Sequence, residues 1–235
     1  MFSPGIRREL TETLSSPAVK WISCRDNTAF LNNNLLKGGK RAVNTYDPAL
    51  WCADVYQTKA CDQADTVGLG MMFTNSVSEV KAARLWIQIM QKLDKEKIPW
   101  KIFVNGSGRD VAYARAVYSA LPEAARSFED CLEAVPETPS ELVKTISGFR
   151  SLISFRLHSH VIAAALGIPS VGISWDDKLP FFFRKIGHEE RCCTVEMRAD
   201  TIVERLLNAE KEGVDGRLIE EQKRIAEKLL LSALN

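Results

Sequence analysis

A chain of 235 residues, 46% hydrophobic and 26% charged, has ordinary globular composition, enough for one large domain or two small ones and not that of a disordered segment. Its 31 lysines and arginines nearly balance 30 aspartates and glutamates, and no basic block stands out, so charge gives no reason to expect nucleic acid or an anionic membrane as partner. The six cysteines lack C-x-x-C spacing and mostly sit in apolar segments, which reads as a reduced cytosolic set. Cys192 and Cys193 are adjacent and read as buried strand before redox pair. The N-terminal MFSPGIRRELTETL has no signal-peptide apolar core, and the longest apolar run, Val161 to Ile173, is broken by Gly167 and Pro169. A cytoplasmic protein without a transmembrane segment is expected.

In chain order, Ile6 to Leu14 predicts a helix, Val19 to Cys24 a strand, and Asn27 to Leu36 a helix capped by Asp26 or Asn27. Arg41 to Thr45 predicts a strand before the turn-like Tyr46-Asp47-Pro48. From Thr66 the pattern becomes regular: the strand TVGLGMMF, then a helix from Ser76 to about Lys95 with Val80, Ala83, Ile87 and Met90 on its apolar face and Trp86 and Leu93 beside them. Trp100 to Val104 is a strand, Asn105 to Asp110 a loop, Val111 to Leu121 a helix, and Ser127 to Ala134 a short strand. Pro139 to Ser147 is a helix, Leu152 to Phe155 a strand, Ser159 to Leu166 a helix, and Ser170 to Trp175 a strand. Leu179 to Ile186, the strand Cys192 to Val195, and helices from Asp200 to Glu212 and Asp215 to Leu234 complete the series.

This alternation predicts an α/β fold with a Rossmann-like, doubly wound parallel sheet, in which ligands bind beyond the carboxyl ends of strands. Applying that rule leaves four places: Arg25 and Asp26, Gly106 to Asp110, Arg156 to His160, and Asp176 to Lys178. At Arg25 and at Arg156 an arginine ends a strand and a helix begins at once, so a guanidinium and unsatisfied backbone N–H groups can meet one anion. Arginine suits the task through its planar fork and permanent charge. Arg25 could equally be spent in an ion pair with Asp26. His158 reads as a proton donor or acceptor beside the anion, His160 as a packing or capping residue. No metal is expected, because an H-x-H pair at a strand–helix junction diverges. Asp177 reads either as a helix N-cap or, with Lys178, as part of the same mouth. Gly106 to Asp110 could cradle a phosphate but lacks P-loop or G-x-G-x-x-G spacing, and a tight turn is the plainer reading.

The run FRLHSHVIAAALGIPSVGISWDDK resembles the polysaccharide pyruvyl transferases: Arg-Leu-His, a small-residue helix, Gly-x-Pro, an apolar strand and a Tyr-Asp-x-Lys-like end, with Trp175 where tyrosine is usual. WISCRDNTAFL resembles the family's Ser-x-Arg-Asp-x-x-Ser segment, with Ala29 at its last position, and Tyr46-Asp47-Pro48-Ala49 its Pro-Asp-Pro step. The order holds over roughly residues 19 to 207. The resemblance implies a fold like the two-domain GT-B glycosyltransferases and transfer of a pyruvyl group from phosphoenolpyruvate, the donor substrate, to two hydroxyls of a cell-surface polysaccharide sugar, without a cofactor. Carried over residue by residue, it makes Arg156 and His158 catalytic and Arg25, Arg156, Leu157, His158, Asp177 and Lys178 substrate-binding. The family's Asn-x-Gly-Asp loop has no counterpart before VKWISC. Residues 1–62 are therefore expected to be the remnant of an N-terminal domain and 63–235 the Rossmann-like C-terminal domain, with a partner chain able to supply the missing half. Two alternatives stay open: a GT-B glycosyltransferase using a nucleotide sugar, and a truncated half that binds without turnover.

Overall fold

The computed structural model describes residues 3–74, 79–122 and 124–234. The chain falls into two compact units, one of Met1–Pro48 with Glu220–Asn235 and one of Ala49–Ile219. This division differs from the predicted boundary at 62/63 because the segment after Pro48 packs with the second unit. Cys52 joins a core cluster there, and the Cys61 N–H donates to the Ser147 carbonyl at 2.9 Å.

The first unit is small. Helix α1 (Pro4–Ser15) starts with proline in its first turn, and the Ser3 hydroxyl accepts from the Ile6 N–H. Strand β1 (Ser23–Cys24) pairs in parallel with β2 (Val43–Asn44), and α2 (Thr28–Asn34) between them is capped by Asn27. Both strands are shorter than predicted, because flanking backbone groups are satisfied by side chains instead of a ladder. Asn32 bonds both the N–H and the carbonyl of Ala42, at 2.8 and 3.1 Å, and Lys40 donates to the Val19 carbonyl at 2.6 Å.

The second unit is built on a parallel sheet of β3 (Val67–Gly70), β4 (Trp100–Phe103), β5 (Ser151–Ser154), β6 (Ser170–Ser174) and β7 (Cys192–Thr194), ordered β4-β3-β5-β6-β7. It confirms the α/β, Rossmann-like reading. Its helices are α3 (Cys52–Val55), α4 (Glu79–Lys95), α5 (Gly108–Ser119), α6 (Phe128–Cys131), α7 (Pro139–Ser147), α8 (Leu157–Ala165), α9 (Lys178–Lys185) and α10 (Ala199–Glu212). A last helix, α11 (Gly216–Leu234), begins in this unit and runs on through Glu220 and beyond, which count with the first. None of the described helices is long and apolar enough to cross a membrane.

The sheet has a buried cluster on each face, one with α4, α5 and α10 and one with α7 and α8. Alternation along β3 sends Val67 and Leu69 to the first cluster and leaves Gly68 and Gly70 facing the second. A Cβ on Gly68 would lie 2.5 Å from the Phe149 ring, and one on Gly172 of β6 would lie 2.6 Å from the Phe183 ring. Glycine in these strands is thus the space that admits aromatic rings against the sheet.

Several predicted features shift. In α4 the buried row is Ala82, Leu85, Trp86, Ile89, Met90 and Leu93, whereas Val80 is exposed and Ala83 and Ile87 only border the core. The large Trp86 ring, packed on Phe155 at 5.6 Å between centroids, sets which side faces inward. The predicted helix start at Ser76 lies outside the described residues. The strand predicted from Ser127 to Ala134 is instead the helical turn α6, because the Ser127 hydroxyl accepts from the Asp130 N–H; only Leu132 bridges to Ile102.

One titratable ring is fully interior. His160, on α8, places Nε2 3.0 Å from the Ser154 carbonyl of β5 and Nδ1 3.0 Å from the Ser170 hydroxyl of β6, with its ring edge-on to Phe183. The carbonyl can only accept, so Nε2 carries the proton, and in the neutral ring Nδ1 accepts from Ser170. Burial, only partly offset by the bond to Ser154, pushes the imidazole from 6.5 down to about 4. The unfolded chain then binds more protons between these values, so the stability this residue contributes is complete above the unfolded pKa and is lost as pH falls toward the folded one. Urea unfolding is expected to show a loss of about 2 kcal/mol between pH 7 and pH 5 from this residue, and His160→Gln should flatten that slope.

Candidate active site

The strand order places β3, first of the sheet in the chain, between β4 and β5, so the chain's direction of winding reverses between β3 and β5. The carboxyl ends there form the crevice where such sheets bind ligands. Arg156 stands one residue beyond Phe155, which follows β5, and is the N-cap of α8, with extended backbone and no side-chain capping bond. The helix begins two residues earlier than predicted, so Leu157 is its first residue and the exposed His158 lies in its first turn. Backbone N–H groups at this end carry the positive pole of the helix.

The turn from β5 into α8 is held by Ser154. Its hydroxyl donates to the Gly70 carbonyl at 3.2 Å and accepts from the Arg156 N–H at 3.0 Å, while its carbonyl takes the His160 ring. The Arg156 guanidinium pairs through Nη2 with Oδ2 of Asp110, a carboxylate only 2% exposed in the first turn of α5. The other Asp110 oxygen accepts from the Phe73 N–H, just after β3, at 3.0 Å. Arg156 Nε is buried with no hydrogen-bond partner among the described residues. Loops after β3, β4 and β5 thus meet at one ion pair, Arg156 with Asp110.

His158 and His160 diverge, as an H-x-H pair at this junction must: one is exposed and the other has both ring nitrogens engaged inside. Asp177 and Lys178 stand after β6, at the edge of a cavity of about 730 Å³ whose wall includes Trp175, Asp176, Asp177, Arg184, Thr194 and Glu196. Lys178 lies over the Trp175 ring at 5.6 Å and pairs with Asp176 at 3.2 Å. The capping role expected of Asp177 falls to its neighbour: Asp176 Oδ1 accepts from the Lys178 N–H at 2.9 Å, and the Asp177 side chain makes no capping bond. In the same wall burial pushes the Cys192 thiol up to about 11 and raises that of Cys193, which suits packing and not thiolate chemistry.

Arg25 belongs to the first unit, and the ion pair weighed for it is formed. Nε and Nη2 bond the two Asp26 oxygens at 3.0 and 3.2 Å, and Nη1 bonds Asp47 at 2.6 Å. The hydrogen bond to Asp26 first, then that to Asp47, raises its pKa against the opposing cost of partial burial. The Ser-x-Arg-Asp-like and Pro-Asp-Pro-like segments are therefore joined by one guanidinium. Another group with metal-type donors, His188, Glu190 and Glu212, gathers within 4.8 Å, but the buried Arg191 guanidinium lies among them, 3.0 Å from Glu212 and 3.6 Å from Glu190, and already supplies a cation. Sequence reasoning missed Asp110 as a partner of Arg156 because it started α5 at Val111; an acid three positions into a helix that follows a buried strand was the available signal.

A family model described as polysaccharide pyruvyl transferase matches residues 2–177. The chain belongs to the polysaccharide pyruvyl transferase family. Among curated proteins none matches at the level required for relatedness. Of solved structures, a Methanocaldococcus jannaschii UDP-GlcNAc 2-epimerase, solved with UDP-GlcNAc and UDP, superposes with a TM-score of 0.54 at 10% identity, over 82% of this chain and 56% of the epimerase. An E. coli heptosyltransferase, WaaC with ADP, gives 0.47 at 14% identity over 73% of this chain and 52% of its own, and Acinetobacter baumannii MurG gives 0.45 at 13% over 90% and 60%. The epimerase likeness is one of fold alone. This member of the pyruvyl transferase family spans about half the length of those first two solved structures, 56% and 52%.

The two aspartates after β6 give a direct test of local structure. Asp176→Ala should lower stability by about 1 kcal/mol and Asp177→Ala by less than about 0.5 kcal/mol in urea unfolding; the reverse ranking would restore the predicted cap.

Proposed function

We propose that the protein transfers a pyruvyl group from phosphoenolpyruvate to two hydroxyls of a sugar in a cell-surface polysaccharide or its precursor, releasing phosphate and leaving a ketal. Family membership supports this, and the observation that carries it is Arg156, fixed at the reversal of strand order as N-cap of α8 with His158 in the next turn. Phosphoenolpyruvate presents a carboxylate and a phosphate, each suited to a guanidinium and to free helix N–H groups.

In balanced form, one sugar hydroxyl oxygen bonds C2 of the enol while a proton reaches C3, turning the methylene into a methyl group. The second hydroxyl oxygen then bonds C2, the C2–O bond to phosphate breaks, and the hydroxyl proton leaves with inorganic phosphate or a base. Arg156 and the α8 N–H groups from Leu157 onward hold the anion, and His158 moves the proton at C3 or at the sugar hydroxyl. Arg25 belongs to the substrate-binding set that the family resemblance implies, while Asp177 and Lys178 meet the acceptor and balance charge. The scheme uses no cofactor.

A second reading, a glycosyltransferase using a nucleotide sugar, draws on the likeness to the epimerase, solved with UDP-GlcNAc and UDP. Stabilisation of the protein by a nucleotide diphosphate sugar and not by phosphoenolpyruvate in thermal-shift titration would favour it. For the main reading, phosphate release from phosphoenolpyruvate should depend on a glycan acceptor. It should fall by roughly 100-fold or more in Arg156→Ala and in His158→Ala, and undiminished turnover in both variants rules the assignment out. Binding of phosphoenolpyruvate without any turnover would mark a non-catalytic binding half.

A further inference from the structure

Residues Gly106 to Asp110 resembled a weak phosphate cradle or a plain turn, and the fold gives them a third character. Helix α5 already begins at Gly108, so Arg109 and Asp110 are its second and third residues. Three contacts tie this element to the Arg156 site. Asp110 joins Arg156 to the Phe73 N–H. The Ser159 hydroxyl in the first turn of α8 donates to Asn105 Oδ1 at 3.2 Å. The Arg109 guanidinium lies over the Phe73 ring, 5.3 Å from its centroid.

Charge decides what these contacts mean. Asp110 is buried and bonded to Arg156, so the pair carries no net charge, and an anion arriving there would meet only the helix pole and a guanidinium already half spent. The cation that the same contacts bring to the residues after β3 is Arg109, exposed and resting on Phe73. With it the local balance of Arg109, Arg156 and Asp110 becomes one positive charge, enough to favour a small anion in a partly desolvated crevice.

We propose that Arg109 is a second cationic arm of the Arg156 site and that Asp110 is the carboxylate that positions Arg156 within it. The ligand class is a small molecule bearing a phosphate or a carboxylate and a phosphate together. The proposal rests on the anion-site reading above but assigns residues which that reading does not use. Arg109 binds, and Asp110 positions: it fixes the Arg156 guanidinium through Nη2.

Calorimetric titration of the full chain with phosphoenolpyruvate and, separately, with inorganic phosphate tests both parts. Arg109→Ala should weaken both anions by about tenfold with an unchanged melting temperature, and Arg109→Lys should recover part of that loss. Asp110→Asn adds one positive charge to the site, so a carboxylate acting only as a counter-charge predicts tighter binding. A positioning carboxylate predicts weaker binding, partly rescued in Asp110→Glu. Wild-type affinity in Arg109→Ala overturns the first assignment, and tighter binding in Asp110→Asn overturns the second. A wild-type protein that binds inorganic phosphate but not phosphoenolpyruvate defeats the pyruvyl-donor reading alone, and the variants are then judged on phosphate. Binding of neither anion defeats both.

Discussion

Every feature of the Arg156 site depends on the reversal of strand order at β3. Because β4 and β5 lie on opposite sides of that strand, the loops that follow all three end over one crevice. An arginine after β5 can then pair with an aspartate after β4, whose other oxygen accepts from a backbone amide after β3, residues far apart in the chain. In a sheet wound in one direction only, the same three loops would line up along an edge and leave the guanidinium to solvent.

That geometry would be loose without the polar interior beneath it. Ser154 is fully buried, and its hydroxyl and carbonyl together engage β3, the start of α8 and the His160 ring. His160 in turn reaches β6 through Ser170. A buried polar group left without a partner costs about 1 to 3 kcal/mol, so each member of this chain of bonds penalises any displacement of α8 relative to the sheet. The glycines at 68 and 172 work toward the same end from the apolar side. They let Phe149 and Phe183 lie close against the strands, and the Phe183 ring backs the imidazole. Rigid support below and a permanently charged group above is the arrangement that a preorganised anion site requires.

How much of this could be read from the sequence follows from the range of the forces involved. Helices and strands of the second unit were legible, most completely Pro139 to Ser147, because a local capping box of Thr138 and Glu141 coincides with strong amphipathic spacing. Arg156 and His158 stood out because charge at the end of an apolar run has a local signature. Asp110 did not, since its meaning comes from a contact with Arg156 that the sequence does not record. The inward side of α4 was misjudged for a similar reason: where several apolar rows compete, the packing of Trp86 against Phe155 decides, and that pair is made only in the folded sheet. The short strands of the first unit were overextended because β-propensity says nothing of whether a partner is present, and side chains of Asn32 and Lys40 took the backbone groups instead.

Both arginines singled out by their position after a strand are held by aspartate, Arg156 by Asp110 and Arg25 by Asp26 and Asp47. A carboxylate clamp lowers the net attraction for a ligand anion yet removes the entropy cost of ordering a long side chain when the ligand arrives, on the order of 2 kcal/mol for an arginine. It also confines the exposed donors to one orientation, so discrimination rests more on the placement of anionic oxygens than on total charge. A site of this kind favours a compact ligand with fixed anionic groups over a flexible polyanion. The near-neutral charge of the whole chain fits the same division, since long-range attraction is weak and recognition is left to the guanidinium geometry.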